Sequence, residues 1–178
     1  MKKQIIRQTA AFFLCVVFAV VFLLAGACLP QQPIDANVLA SAEAMLPDGD
    51  YPVIAAKSYA AMLDVTTDAL ILAESKATTI SQWDTIFTNP LYEEGEGGTV
   101  EQLYRYAAGE NTQVSRYYVQ YWMGFRPVMR LLLAFLDYYQ IIRYVAFAFF
   151  VLLAAVMCSV AKHTDPKTAF LFALSVIL

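Results

Sequence analysis

Two carboxylates four residues apart, Asp64 and Asp68 in the stretch MLDVTTDALIL, are the plainest pair for chemistry in this chain. On a helix, positions i and i+4 share a face, so both acids would meet the same point of solvent. Such a pair suits a divalent cation or a general base. The structural alternative is the wet side of an amphipathic helix. Arg126 and Arg130 repeat that spacing with the opposite charge, across Pro127. Guanidinium pairs well with phosphate, so they are read as lipid or phosphate contacts at a membrane surface. Equally, their stems lie in an apolar layer while their heads reach ordinary headgroups. Arg143 stands inside a long apolar run. A charge there must reach the surface or find an acid.

Val114, Tyr117, Tyr118, Tyr121, Trp122 and Phe125 recur at helical spacing. The pattern predicts one aromatic helix face, which can stack a sugar or pack against a domain or lipid. The chain has one histidine, His163, so no histidine-based zinc site is expected in the region before it, and no metal site is assigned. Neither a phosphate-cradling glycine loop, a GxSxG elbow nor a paired-cysteine motif occurs. The formal net charge is −3 without a basic stripe, which argues against nucleic acid as a partner.

The elements that must position these groups are apolar. Of 178 residues, 60% are hydrophobic and 15% charged, and the excess is gathered in blocks. Residues 10–29 carry no charge and are long enough, at about 1.5 Å per residue, to cross a hydrocarbon core of roughly 30 Å. Lys2, Lys3 and Arg7 precede them, which places residues 1–9 in the cytoplasm. Ala25-Gly26-Ala27 also fits a signal-peptide cleavage site, and Cys28 after it a lipoprotein. An uncleaved anchor is the expectation, because a second span follows. That span covers 138–161 and opens on Asp137-Tyr138-Tyr139-Gln140, which has the form of a capping box. Lys162, His163 and Lys167 put the loop 162–167 back in the cytoplasm. Residues 168–178 begin a third apolar run too short to cross, so the chain is expected to be the N-terminal part of a longer multi-pass protein.

Between the first two spans, residues 30–112 read as a helical extracytoplasmic domain. Asp35 is expected to cap a helix through Met45, closed by the turn at Pro47-Asp48-Gly49-Asp50. Ser58 is expected to cap a helix to about Lys76, and Ser81 to open a short one ending at Asn89-Pro90. Glu93–Gly98 reads as a solvated loop, and Thr99 opens a helix ending near Gly109. Residues 113–136 are expected to form a pair of amphipathic helices at the outer interface, broken near Gly124–Pro127. No strand pair is expected. The fold class is thus an all-α membrane protein: two transmembrane helices, an incomplete third, and a helical domain outside, in a bacterial cytoplasmic membrane.

The segment RYYVQYWMGFRPVMRLLLAFLDYYQIIRY resembles a stretch of a family of uncharacterised bacterial multi-spanning membrane proteins, as does MLDVTTDALIL. There the pattern is Arg-Tyr-Trp-His-Gly followed by Arg-Pro-Leu-Leu; here Met123 stands where the histidine would be. The resemblance implies membrane residence and no particular activity, with assembly, transport or docking of other membrane subunits as the roles it leaves. One span, a long outer loop and further spans is also similar to the layout of C-superfamily membrane glycosyltransferases. That resemblance implies a lipid-linked sugar donor and a carboxylate, from Asp35, Asp64 or Asp68, acting as base or divalent-cation ligand. No other cofactor is implied.

Overall fold

A computed structural model of the chain describes residues 2–53, 62–76, 88, 90–92, 96–110, 113–117 and 123–177. The expected caps at Ser58 and Ser81, the rings Tyr118, Tyr121 and Trp122, and the first half of the acidic glycine loop lie outside them. The described residues are mostly helical. They fall into two compact units, residues 1–138 and 139–178.

The first unit opens with α1, Lys2–Ala27, which begins well before the uncharged block because nothing in residues 2–9 breaks a helix. It stops where Leu29 precedes a proline and so avoids helical backbone. Helix α2, Gln31–Met45, starts earlier than the expected cap at Asp35. Pro30 is its extended N-cap, and Pro33 falls in the first turn, where a missing amide costs no helical hydrogen bond. Ile34, Val38, Ala42 and Met45 form its buried stripe. Gly49 then takes a left-handed φ of 69°, which lets the chain turn back.

Helix α3, Val65–Lys76, is shorter than expected because Asp64 starts it. The Thr67 amide and hydroxyl donate to the Asp64 carboxylate at 3.1 and 2.7 Å. Helix α4, Thr99–Ala107, buries Val100, Leu103 and Tyr106. Its start is capped from a distance: the Thr99 and Val100 amides each donate to Asp50 at 2.9 Å. Gly98 leaves room for this, since a Cβ there would lie 2.7 Å from the Asp50 carboxylate. Gly109, at φ 80°, ends α4 while the Glu110 amide reaches back to the Arg105 carbonyl.

Residues 113–117 are not the first half of an amphipathic helix. Arg116–Tyr117 is a strand, β2, paired antiparallel with β1, Pro90–Leu91. The Ser115 amide and hydroxyl both donate to the Leu91 carbonyl, fixing the register. Tyrosine and arginine accept extended backbone when a neighbouring edge supplies hydrogen bonds, which helical spacing alone does not reveal. After a 3₁₀ turn at Met123–Phe125 comes α5, Arg126–Leu133. α5 packs on α1, α2 and α3, and α4 packs on α2 and α3.

Helix α6, Tyr138–His163, begins at the last residue of the first unit and makes most of the second. Helix α7, Pro166–Ile177, starts two residues before the expected run, because Asp165 caps it and proline suits the first helical position. Among the described residues, two helices are long and apolar enough to cross a membrane: Lys3–Ala27 of α1 and the whole of α6.

Asp50 holds two otherwise orphaned α4 amides, so Asp50→Ala is expected to lower stability by about 1–2 kcal/mol, and Asp50→Asn by less. Equilibrium unfolding of the purified chain in detergent checks this; equal stability of all three proteins contradicts the cap.

Candidate functional site: a buried cluster of cations on helix ends

α5 carries both of the arginines expected at the membrane surface, and both are turned inward. Arg126 is 3% and Arg130 1% exposed. The expected phosphate-facing pair is therefore corrected: these side chains serve the interior. Their shared face with Pro127 and Leu133 is the buried face of α5. What meets them there is a set of main-chain carbonyls, most of them at helix ends.

Arg130 Nε donates to the Gly26 carbonyl in the last turn of α1 at 2.9 Å, and Nη1 to the Ser75 carbonyl at the end of α3 at 2.7 Å. Nη2 donates to Gln31 Oε1 on α2 at 2.9 Å. The Gln31 amide in turn donates to the Lys76 carbonyl at 2.9 Å and to Asp35 at 2.7 Å. Arg126 Nε donates to the Glu74 carbonyl at 2.8 Å, and Nη1 to the Thr88 carbonyl at 3.2 Å. Lys76 extends the pattern: its ammonium donates to the Tyr106 and Ala107 carbonyls that end α4, at 2.9 and 3.3 Å, and lies 4.3 Å from the Tyr106 ring centroid. Three buried or half-buried cations thus face the C-termini of α1, α3 and α4. Helix C-termini carry partial negative charge and unfilled acceptors, so each meets a need of the other.

The approach of α1 is close. A Cβ on Gly26 would stand 2.6 Å from the Pro127 Cα. Only glycine lets α5 lie against that turn while Arg130 reaches its carbonyl.

Acids complete the cluster. Glu74 is 3% exposed, and burial pushes its carboxyl up to about 7, against the opposing pull of Arg126. Burial lowers Arg126 to about 10, with Glu74 as its main counter-charge. Burial likewise lowers Arg130 and Lys76, and Asp35 opposes the shift in both. Tyr92 and Tyr106 stack with ring centroids 3.9 Å apart and planes 8° from parallel. Burial raises both phenols, and their side chains hydrogen-bond to each other. The cavity beside them, bounded by Ala73, Leu91, Gln102 and the two tyrosines, is about 20 Å³, room for one water. The cluster can therefore anchor helix ends and exchange one proton near neutral pH.

The expected catalytic acids do not work as a pair. Asp64 caps α3, and the Thr67 hydroxyl and amide hold its carboxyl below the usual range. Asp68 accepts a hydrogen bond from the Tyr138 hydroxyl at the head of α6. Asp35 sits inside α2, where it accepts from Gln31 and is the acid that acts on Arg130 and Lys76, and not before the helix as its cap. Among the described residues, no three of histidine, cysteine, aspartate and glutamate gather to ligate a metal. Arg143 is exposed on α6. Of the expected aromatic face, Tyr117 is exposed on β2 and Phe125 half-buried in the 3₁₀ turn, so the two do not share a helix. Glu74, Lys76 and Gln31 escaped sequence reasoning. Their one available signal was charge or polarity at the ends of helices with apolar faces.

No protein-family model, curated protein or solved structure matches the chain.

Glu74 gives a pH prediction. Its folded value of about 7 lies above the ordinary 4.5, so between those values the folded state keeps a proton that the unfolded chain has lost. Stability from this group is therefore full below about 4.5, falls as pH rises to about 7, and is flat above. Melting temperatures from pH 5 to 8 should fall more steeply for the native chain than for Glu74→Gln. Identical slopes would contradict the assignment.

Proposed function

We propose that this chain is an integral membrane protein whose region between the two long helices is a rigid clamp, built to fix the ends of both spans in an assembly, transport or partner-docking component. The observation that carries the reading is Arg130, which joins the last turn of α1 to α2 and α3 through Gly26, Gln31 and Ser75. At the other end, the Tyr138 amide donates to the Ser41 hydroxyl at 2.9 Å, and the Tyr138 hydroxyl to Asp68. Asn37 reaches the Leu133 carbonyl between these points at 2.8 Å. A domain merely tethered by its spans has no need to spend buried polar groups on both junctions.

Lys2, Lys3 and Arg7 in the first turns of α1, with Lys162 in the last turn of α6 and Lys167 at the start of α7, favour a cytoplasmic N-terminus, with residues 30–137 outside a bacterial cytoplasmic membrane. α1 is a retained anchor in this account, because a cut after Ala27 would separate the Arg130 acceptor Gly26 from the domain that holds it. The acids implied by the glycosyltransferase layout are committed to a helix cap, a tyrosine and a cation cluster, and so support the clamp.

The native thiol of Cys28 is exposed just past α1. In intact cells expressing Cys15→Ser/Cys158→Ser protein with an N-terminal tag, a membrane-impermeant maleimide should label Cys28, and the labelled molecule should keep its tag. Labelling only after permeabilisation, or loss of the tag, would overturn the reading.

A further inference from the structure

With its arginines turned inward, α5 shows the opposite of an ordinary surface helix. Val128, Leu131 and the following Phe135 are 47%, 50% and 76% exposed. They fall at i, i+3 and i+7, on the side away from Arg126, Arg130 and Leu133. A helix in water keeps its charges outside and its large apolar side chains inside. Here both arginines lie inside with Leu133, while Val128, Leu131 and Phe135 lie outside.

We propose that the outward face of α5, Val128 with Leu131 and Phe135, is a foot seated in the outer leaflet of the bilayer, its occupant the acyl chains just below the glycerol level. The inference rests on the membrane reading above and adds where the domain touches lipid. Its basis is the way segment 126–138 is pinned at both ends. Pro127 lies against Gly26, in the last turn of α1. Tyr138, the first residue of α6, is held by Ser41 and Asp68. A short segment fixed at the outer end of one span and at the head of another lies at the membrane surface. The helix that α5 touches at Gly26 is itself bare along its span, with Phe18 and Val21 exposed and almost nothing of the domain covering it. The medium that covers α1 is then the nearest apolar medium to α5. The remaining chain suits this depth, since Asp137 and the tyrosines that follow give the segment a polar edge.

The test uses single cysteines in a Cys15→Ser/Cys28→Ser/Cys158→Ser background, at Leu131 and Phe135 on the foot. Phe18→Cys marks the span, and Glu43→Cys, exposed near the far end of α2, marks water. Each is labelled with a small environment-sensitive fluorophore and reconstituted into phosphatidylcholine–phosphatidylglycerol vesicles. Quenching is read from lipids carrying a nitroxide near the glycerol or deep in the chain, and from aqueous iodide. Labels at Leu131 and Phe135 should be quenched several-fold more by the shallow nitroxide than the label at Glu43, and should resist iodide. The label at Phe18 should respond most to the deep nitroxide. Iodide quenching at Leu131 equal to that at Glu43 would overturn the foot. So would protection from both quenchers, which would mean that protein, such as a second copy, covers the face. A Phe18 label insensitive to lipid would sink the membrane reading itself, whereas a lipid-quenched Phe18 with a water-facing Leu131 removes the foot alone.

Discussion

Arg130 places a full positive charge, 1% exposed, among the ends of helices. An isolated guanidinium in such a place is prohibitively costly, so it persists only with its donors filled. Gly26, Ser75 and Gln31 engage its three nitrogens, one each from α1, α3 and α2. The requirement runs both ways, because the carbonyls it meets have no partner within their own helices. Removing such a group takes a donor from Ser75, Gly26 and Gln31 at once, and an unmet buried acceptor costs about 1–3 kcal/mol. Most of the first unit can be understood as what must stand where for that one side chain to be satisfied. Gly26 must lack a side chain, α2 must begin early enough to present Gln31, and α3 must end at Lys76.

The same economy appears in its neighbours. Arg126 and Lys76 also face helix C-termini, so the charge of three cations is met largely by backbone dipoles. Two acids, Asp35 and Glu74, supply the rest. Glu74 is the adjustable member: burial holds its carboxyl up at about 7, against the pull of Arg126. The stacked tyrosines wall the cluster on the α4 side. A site built this way locks geometry, which fits a clamp better than a cleft with room for one water.

How much of this the sequence disclosed depends on the kind of signal. The two long apolar helices were plain, because apolar length is a local property of residues 10–29 and 138–161, the second broken only by Arg143 near its start. A mostly helical region between them was legible through apolar spacing and glycine stops such as Gly109, although Thr99 is the first residue of α4 and not its cap, a role that Asp50 takes. The inward arginines were not. Arg-Pro-Val-Met-Arg reads identically whether its charges meet phosphate or protein, and the partners that decide it are main-chain carbonyls, which leave no mark in residue type. Asp50 was legible as part of a turn, yet nothing in the turn says that its carboxylate reaches Thr99 and Val100. Asp64 offered a local cap to Thr67, and the longer helix expected from Ser58 obscured it. The two-residue ladder at Pro90–Leu91 and Arg116–Tyr117 is too short for alternation to show, while the rings of 114–125 mimic a helical stripe.

The central claim is that Arg130 couples the end of α1 to the end of α3. Hydrogen exchange of Arg130→Met protein, followed by mass spectrometry in nanodiscs, addresses it directly. The account predicts that peptides covering Gly26 and Ser75 lose protection together, although they lie on different helices. Protection unchanged at both, with any loss confined to α5, would contradict it.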